Sequence, residues 1–222
     1  MKLRPFIPAV TEIPASEADE IPGLAEAISY WSGGREAGEW FREVEDHWGS
    51  PGLVMRRGSE TLGYAFYAPV EHLPRALYLP AGPISQDAVL LAYASGDGRT
   101  RKHLLVRILK ELRLRGVSGV EAIGSDFGLA RHHLATGHLL ECGWRPVRRG
   151  WSRGFPYTLT RVELGNTVEV GEIARSLIGR VRLPSFERPA PAPGAYRRRL
   201  TNPGLGVEFS EPEDRTPSGT NA

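Results

Sequence analysis

The sequence has little cysteine, no long apolar run and no apolar leader, and each absence excludes something. Its single cysteine, Cys142, cannot form an intramolecular disulfide, which favours a reducing compartment. No apolar stretch approaches the roughly 18–20 residues needed to span a bilayer. Met1–Phe6 lacks the apolar core of a signal peptide. We therefore expect a cytoplasmic protein with no membrane partner.

An excess of charge of one sign is also missing, because the net charge of the 222 residues is only +2. The charges are nevertheless uneven. Residues 1–48 carry ten acidic and four basic side chains, whereas Arg99–Arg115 carries seven basic and one acidic. A local basic cluster indicates an anion site, since general nucleic-acid binding needs a broader basic face. Nucleic acid is not the expected partner, although duplex binding through Arg99–Arg115 and Arg145–Arg153 stays open as a weaker alternative.

The centre of the chain has the pattern of a strand, a basic turn, a helix and a second strand. Asp87–Ala94 is an apolar run typical of a buried strand, and Gly96–Lys102 is a glycine-containing basic turn. His103–Arg115 has apolar residues at helical spacing, Gly116 suits a helix C-cap, and Val117–Ile123 resumes as a strand. The helix N-terminus should attract an anion, because it presents free N–H groups and a positive dipole end.

Periodicity and turn residues predict the remaining elements. In chain order, these are helices at Gly23–Trp31 and Arg35–Trp48, a hairpin at Leu53–Ala68, a loop or edge strand at Ala76–Leu79, a helix at Phe127–Cys142, strands at Trp144–Arg149 and Tyr157–Leu164, and a helix at Val168–Val181. Residues 1–20 are acidic and broken by prolines, which predicts a loosely ordered arm with an early strand at Leu3–Ile7. Residues 184–222 hold seven prolines, which predicts a disordered tail.

This order of elements resembles the GNAT superfamily of acyl-CoA-dependent N-acyltransferases over roughly residues 21–164, and within it an actinobacterial group of small acetyltransferase-like proteins. The motifs that carry the resemblance are Trp48–Gly52, Gly63–Pro69, Gly82–Leu91, Leu104–Val106, Arg115–Val117, Val120–Gly124 and Cys142–Trp144. The resemblance implies an α/β (α+β) fold with a central mixed, mostly antiparallel sheet flanked by helices. The domain would span residues 21–183, between the N-terminal arm and the tail.

The resemblance also implies acetyl-CoA as the acyl donor and an unidentified amine as the acceptor. In the family, the strand that matches Asp87–Ala94 separates from its neighbour and holds the pantetheine arm. Leu91, Ala92 and Tyr93 would then lie along the thioester. The pyrophosphate would be bound by Arg99, Thr100, Arg101, Lys102 and His103. A homodimer is compatible with the resemblance.

The basic turn departs from the family's pyrophosphate pattern, Q/R-x-x-G-x-G/A. Aligned on Leu104–Val106, the two glycine positions hold Thr100 and Lys102, and the leading position holds Asp97. Side chains at glycine positions hinder the approach of the backbone to phosphates, and a carboxylate is a poor neighbour for them. Charge-assisted hydrogen bonds from the basic side chains could offset this loss.

The helix predicted at 127–142 lacks the tyrosine that family members often use as general acid toward the departing thiolate. Histidine, with an ordinary pKa near 6.5, suits proton transfer, and the helix offers His132, His133 and His138. Tyr93 and Ser125 are the candidates for a hydroxyl that reaches the sulfur. Glu121 is the carboxylate placed to deprotonate an amine through water. The alternative is that Glu121 pairs with a neighbouring arginine.

The same segment also offers a possible set of zinc ligands. His138 and Cys142 are four residues apart, and His133 lies five residues before His138. No fourth ligand has motif spacing, so we expect a packed cysteine, surface histidines and no metal.

Two hypotheses from different classes follow. The first is an enzyme that transfers an acetyl group from acetyl-CoA to an amine. The second is a catalytically inactive protein of the same fold that binds a ligand or a partner. The resemblance makes the enzyme the main hypothesis, and the loss of both turn glycines and of the acid tyrosine supports the inactive protein as the alternative.

Overall fold

The computed structural model describes residues 8–165, which are built on a seven-stranded sheet. The strands are β1 Ala9–Glu12, β2 Gly52–Arg57, β3 Glu60–Ala68, β4 Ala88–Ala94, β5 Gly119–Ser125, β6 Arg145–Ser152 and β7 Phe155–Glu163. They lie in the order β1-β2-β3-β4-β5-β7-β6. Within this described part, β4 and β5 are parallel and all other neighbours are antiparallel. The predicted mixed, mostly antiparallel sheet is confirmed.

Residues 8–165 contain four α-helices: α1 Leu24–Ser32, α2 Ala37–His47, α3 Gly98–Leu114 and α4 Thr136–Glu141. On one face of the sheet, α1 and α2 bury a core that includes Trp31, Trp40, Phe41 and Phe66. On the other face, α3 and α4 bury a core that includes Tyr67, Leu105, Ile108 and Leu139. The sheet is therefore covered by helices on both faces, as predicted. Of these helices, none has the length and apolar character needed to cross a membrane.

Helix α3 follows its apolar periodicity, since it buries Leu104, Leu105, Ile108, Leu109 and Leu112. It begins at Gly98 instead of the predicted His103, because Asp97 caps it with a carboxylate that accepts the Thr100 N–H at 2.6 Å. Gly116 follows the helix with φ of +79°, the left-handed conformation expected of a glycine at this place.

The helix predicted at Phe127–Cys142 is wrong over its first half. Helix α4 covers only Thr136–Glu141, and residues 126–135 form a loop in which Gly128 and His132 have φ of +65° and +60°. A right-handed helix needs negative φ at every position, so it cannot run through these two residues. The edge strand considered at Ala76–Leu79 is also wrong, because a 3₁₀ turn, Pro74–Tyr78, occupies that place.

The described part of the predicted N-terminal arm is packed against the domain. Strand β1 pairs with β2, and the Ile13 and Ala18 side chains are fully buried in the core of α1 and α2. Residues 8–20 are therefore ordered by the sheet and by apolar burial. Three predictions lie outside the described residues: the strand at Leu3–Ile7, the helix at Val168–Val181 and the tail at 184–222.

The two parallel strands separate halfway along their length. Their ladder ends at the Leu90–Glu121 pair, although β4 continues to Ala94 and β5 to Ser125. On its other side, β4 shifts register against β3 between the residues paired with Leu91 and Tyr93, so that Ala92 is an extra residue. Such a bulge bends a strand and increases its twist. The separation implied by the resemblance is confirmed.

Candidate active site

The separation of β4 from β5 lies beside a cavity of about 570 Å³, which we call the β4 cavity. Its wall takes side chains from α1, β3, β4, α3, the loop 126–135 and α4, among them Glu26, Tyr64, Tyr93, Arg101, His132 and His138. Small-molecule sites in proteins have volumes of about 300–1,000 Å³. The β4 cavity is therefore the candidate site.

Of the three β4 residues predicted along a thioester, only Tyr93 lines the β4 cavity. Leu91 and Ala92 are 1% and 2% exposed, and their side chains belong to the cores on opposite faces of the sheet. Their backbone is the part that can act, because β4 has no ladder pairing with β5 beyond Leu90 in the described sheet. Extended backbone without a strand partner can bind an amide-containing chain as an added strand would.

The basic turn is divided between two sides of α3. Arg101 lines the β4 cavity. Arg99, Thr100 and His103 instead line a second depression of about 610 Å³, the α3 groove, together with Asp97 and an apolar floor of Val10, Met55 and Leu62. Lys102 lines neither. The five residues predicted to bind one pyrophosphate are therefore not brought to one place.

The N-terminus of α3 already holds an anion supplied by the chain. The Thr100 N–H donates to the Asp97 carboxylate, and this bond lowers the pKa of Asp97 and keeps it ionised. Thr100 is only 6% exposed, and its methyl carbon would lie 2.8 Å from a Cβ placed at either Gly63 or Gly96. Glycine at these two positions makes room for the threonine. We predicted an external anion from the free N–H groups and the positive dipole end of this helix. That end of α3 instead faces the Asp97 carboxylate.

Arg101 is the cation that remains available to a ligand in the β4 cavity. Its Nη1 donates to the Gly96 carbonyl oxygen at 2.9 Å, while its Nε is buried and has no hydrogen-bond partner in the described chain. A buried donor without a partner is costly. An anionic ligand group in the cavity can instead form a charge-assisted bond with the guanidinium as a whole.

Glu121 is fully buried at the closed end of the strand separation. Its carboxylate accepts the Ser85 N–H at 2.9 Å, the Ser85 hydroxyl at 2.6 Å and Arg161 Nη1 at 3.1 Å. Arg161 also binds Asp87 and Glu163, and the bond to Asp87 is the largest cause that raises the pKa of Arg161. The pairing of Glu121 with an arginine is thus the arrangement found. Glu121 does not line the β4 cavity, so this geometry gives no support to its predicted role as a base.

The two hydroxyl candidates have different surroundings. Ser125 is 1% exposed, its Oγ accepts the Ala130 N–H at 3.4 Å, and its own N–H donates to the Leu134 carbonyl oxygen at 2.8 Å. It holds the loop 126–135 and does not line the β4 cavity. Tyr93 does line the cavity, with its ring centroid 6.0 Å from that of His132. Tyr93 therefore stays a candidate for the acid.

The three histidines that the sequence placed on one helix have three different environments. His133 is a buried part of the cavity wall, with Nε2 2.9 Å from the Tyr30 hydroxyl and Nδ1 3.1 Å from the Ile123 carbonyl oxygen, and burial lowers its pKa to about 4. His138 lines the β4 cavity with its Nε2 3.9 Å from the Cys142 Sγ, and burial lowers its pKa. His132 lines the cavity beside Tyr93.

The zinc set considered from the sequence is not assembled, because His133 is directed to Tyr30 and Ile123 and away from the pair formed by His138 and Cys142. In residues 8–165, no group of three metal-binding side chains is placed to hold an ion.

Sequence reasoning missed one charged group at the site. Glu26 of α1 lines the β4 cavity and lies 3.4 Å from Arg131 of the loop in an exposed ion pair. No motif singled out Glu26, since it reaches the cavity only through the packing of α1 against the sheet.

Comparisons with known proteins identify the fold. No protein-family model and no curated protein matches the sequence. An N-acetyltransferase from Staphylococcus aureus matches with a TM-score of 0.50 and 14% identity, over 71% of this chain and 99% of that chain. A protein from Acinetobacter baylyi assigned as an acetyltransferase matches with a TM-score of 0.52 and 14% identity, over 73% and 94%. The chain has the fold of the GNAT acetyltransferases, while the actinobacterial group stays a prediction.

Proposed function

We propose that the protein transfers an acetyl group from acetyl-CoA to an amine. The proposal is carried by the separation of β4 from β5 beside a cavity with Arg101, Tyr93 and His132 in its wall. The pantetheine arm is a narrow chain with two amides, which suits the edge of β4 from Leu91 to Tyr93 that faces β5 and has no ladder pairing with it. When bound, acetyl-CoA supplies the activated acyl carbon.

We assign the donor phosphates to the Arg101 side chain and not to the N-terminus of α3. Asp97 places a negative charge at that N-terminus, and its carboxylate already accepts the Thr100 N–H. The Arg101 guanidinium, which lines the cavity, offers a replacement for the backbone N–H groups. The donor thus fits the strand separation and the cavity, with its phosphates held by a side chain.

The alternative is a catalytically inactive protein that keeps the fold and binds a ligand or a partner. It is favoured by the capped α3 N-terminus and by Glu121, whose carboxylate is committed to Ser85 and Arg161. It would use the same cavity without turnover.

Calorimetry with acetyl-CoA tests the proposal, followed by an assay of free thiol release with a panel of primary amines. We expect binding that saturates below millimolar donor, and amine-dependent thiol release. No heat and no thermal shift at millimolar acetyl-CoA would reject the donor. Binding without thiol release over a broad panel would favour the inactive protein.

A further inference from the structure

The loop 126–135 contains a backbone conformation that its sequence does not require. Among residues 8–165, the residues other than glycine with positive φ are His132 and Arg153. Arg153 lies in the two-residue hairpin turn between β6 and β7, where positive φ is usual. His132 is in no hairpin. Conformations of this kind persist where the surrounding structure imposes them, and they cluster at functional sites.

The surroundings impose this conformation through contacts on both sides of His132. The Trp31 Nε1–H of α1 donates to the His132 carbonyl oxygen at 2.9 Å. The next residue, His133, is held by Ile123 and by Tyr30, and its own N–H donates to the Ala130 carbonyl oxygen at 3.3 Å. The backbone reversal thus gives two successive histidines of the cavity wall different surroundings. The ring nitrogens of His133 lie near Tyr30 and Ile123, whereas the His132 ring lies beside Tyr93.

The His132 ring lies between two tyrosines. Its centroid is 5.4 Å from that of Tyr30 in α1 and 6.0 Å from that of Tyr93 in β4. Tyr93 is a β4 residue that lines the cavity beyond Leu90, where the pairing of β4 with β5 ends. The ring therefore lies where an acceptor amine would meet an acyl group held along β4.

The charged groups around this ring come from three elements. Glu26 of α1 and Arg131 of the loop have opposite effects on it, and the neutral His133 and the Arg75 guanidinium stacked on Tyr30 complete the surroundings. Burial is the largest cause that lowers the pKa of His132, followed by Arg131, while Glu26 raises it. A lowered pKa leaves the imidazole neutral at pH 7, the form that accepts a proton.

We propose that His132 is the general base that deprotonates the acceptor amine, an inference that rests on the proposed function. The imidazole takes one proton from the acceptor's ammonium group, and the freed lone pair attacks the thioester carbon. The nitrogen–carbon bond forms, the carbon–sulfur bond breaks, and the second proton of the nitrogen passes to the departing thiolate. The imidazolium then returns its proton to water.

The other candidates for this role are committed elsewhere. Both ring nitrogens of His133 lie near protein partners, and Glu121 binds Ser85 and Arg161 away from the cavity. His138 has its Nε2 3.9 Å from the Cys142 Sγ at the end of α4, on the part of the cavity wall that also carries Arg101.

Affinity labelling with S-bromoacetyl-CoA tests the position of His132 without a known acceptor. The reagent places an electrophilic CH₂ where the acetyl methyl of the donor would lie. An imidazole nitrogen attacks this carbon, bromide leaves, and the ring proton passes to water. We expect mass spectrometry to find the modification on His132, and excess CoA to suppress it. The labelling rate should rise with pH to a plateau, because neutral imidazole is the nucleophile. The apparent pKa of this rise should lie below 6.5, since the pKa of His132 is lowered.

The matched variants are His132→Asn and His47→Asn. Asparagine tolerates positive φ, so His132→Asn keeps the loop, and we expect its labelling to fall at least tenfold. His47 is an exposed histidine of α2 away from the cavity, so its variant should label like the wild type. Circular dichroism and the calorimetric Kd for CoA should stay unchanged in both.

The results separate this inference from the proposed function. Modification of Tyr93, His138 or Cys142 in place of His132 would overturn the role of His132, as would no labelling of a protein that binds CoA. Absence of CoA binding by calorimetry would overturn the donor itself. Labelling of His132 that CoA does not suppress would show a reactive histidine outside the donor site, and would also overturn the inference.

Discussion

Asp97 and Arg101 place opposite charges at the start of α3, and they face different surroundings. The Asp97 carboxylate satisfies the Thr100 N–H and lies at the α3 groove. The Arg101 guanidinium extends to the β4 cavity with one nitrogen unpaired. Our proposal therefore assigns the anion to one side chain, Arg101, and not to the backbone N–H groups of the helix N-terminus. A single substitution can therefore test it.

Replacement of Arg101 by methionine should weaken acetyl-CoA binding by about 10- to 100-fold. A hydrogen bond to a charged group contributes about 1.5–3 kcal/mol, and methionine keeps the apolar stem while it removes the charge. Calorimetry gives the Kd of both proteins. Arg99→Met is the matched control, because Arg99 lies two residues away on the α3 groove, and its Kd should stay within about twofold of the wild type. Equal losses in the two variants would show that the whole turn binds the phosphates.

At the scale of elements, one cluster of polar side chains lies where the pairing of β4 with β5 ends and the two strands separate. The parallel ladder has three residue pairs, and Glu121 at its last pair is buried with Arg161 of β7 and Ser85 before β4. Arg161 also reaches Asp87 at the start of β4. This cluster links β4, β5 and β7 at the point where the opening begins. The contacts of Glu121 thus connect it to the strands at this point, and its role as a base stays a prediction.

Replacement of Arg161 by methionine should lower the free energy of unfolding by about 3 kcal/mol. Loss of one partner of a buried ion pair leaves an uncompensated charge, which costs about 3–5 kcal/mol, and the two bonds from Ser85 recover part of this. Urea unfolding followed by circular dichroism measures the change. Glu163→Gln removes an exposed partner of the same guanidinium and should change stability by less than about 1 kcal/mol. Similar losses in both variants would contradict a buried role for the Glu121 pair.

The sequence predicted those elements whose signals are local. The hairpin β2–β3, helix α3 and strands β4 and β5 follow from apolar spacing and turn glycines. The loop 126–135 could not be predicted, since Leu129 and Leu134 fit a helical pattern while the reversal at His132 depends on Trp31, about a hundred residues earlier. Contacts between residues that are distant in the sequence also limit what can be predicted about the site. The positions of Tyr93 and Arg101 follow from the predicted elements, but Arg161, the arginine that pairs with Glu121, lies forty residues away in the sequence.

At the scale of the whole molecule, burial of histidines links folding to pH. The pKa values of His132, His133 and His138 are all lowered, and burial is the largest cause in each case. A histidine that is neutral in the folded chain and charged in the unfolded chain makes the unfolded state bind more protons. Stability therefore rises with pH between the folded and the unfolded pKa. The carboxylates with lowered pKa, such as Asp126, act in the same direction but at lower pH.

His133 should dominate this effect, because its pKa falls from 6.5 to about 4 while only 7% of the residue is exposed. The difference corresponds to about 3 kcal/mol, present above pH 6.5 and lost as the pH falls toward 4. Urea unfolding at a series of pH values should show this slope in the wild type. In His133→Gln the slope should be much smaller over the same window, even though the variant is less stable at pH 7 through lost packing. His47→Gln, which changes an exposed histidine, should keep the wild-type slope. A slope that survives in His133→Gln would mean that the proton uptake belongs to other groups.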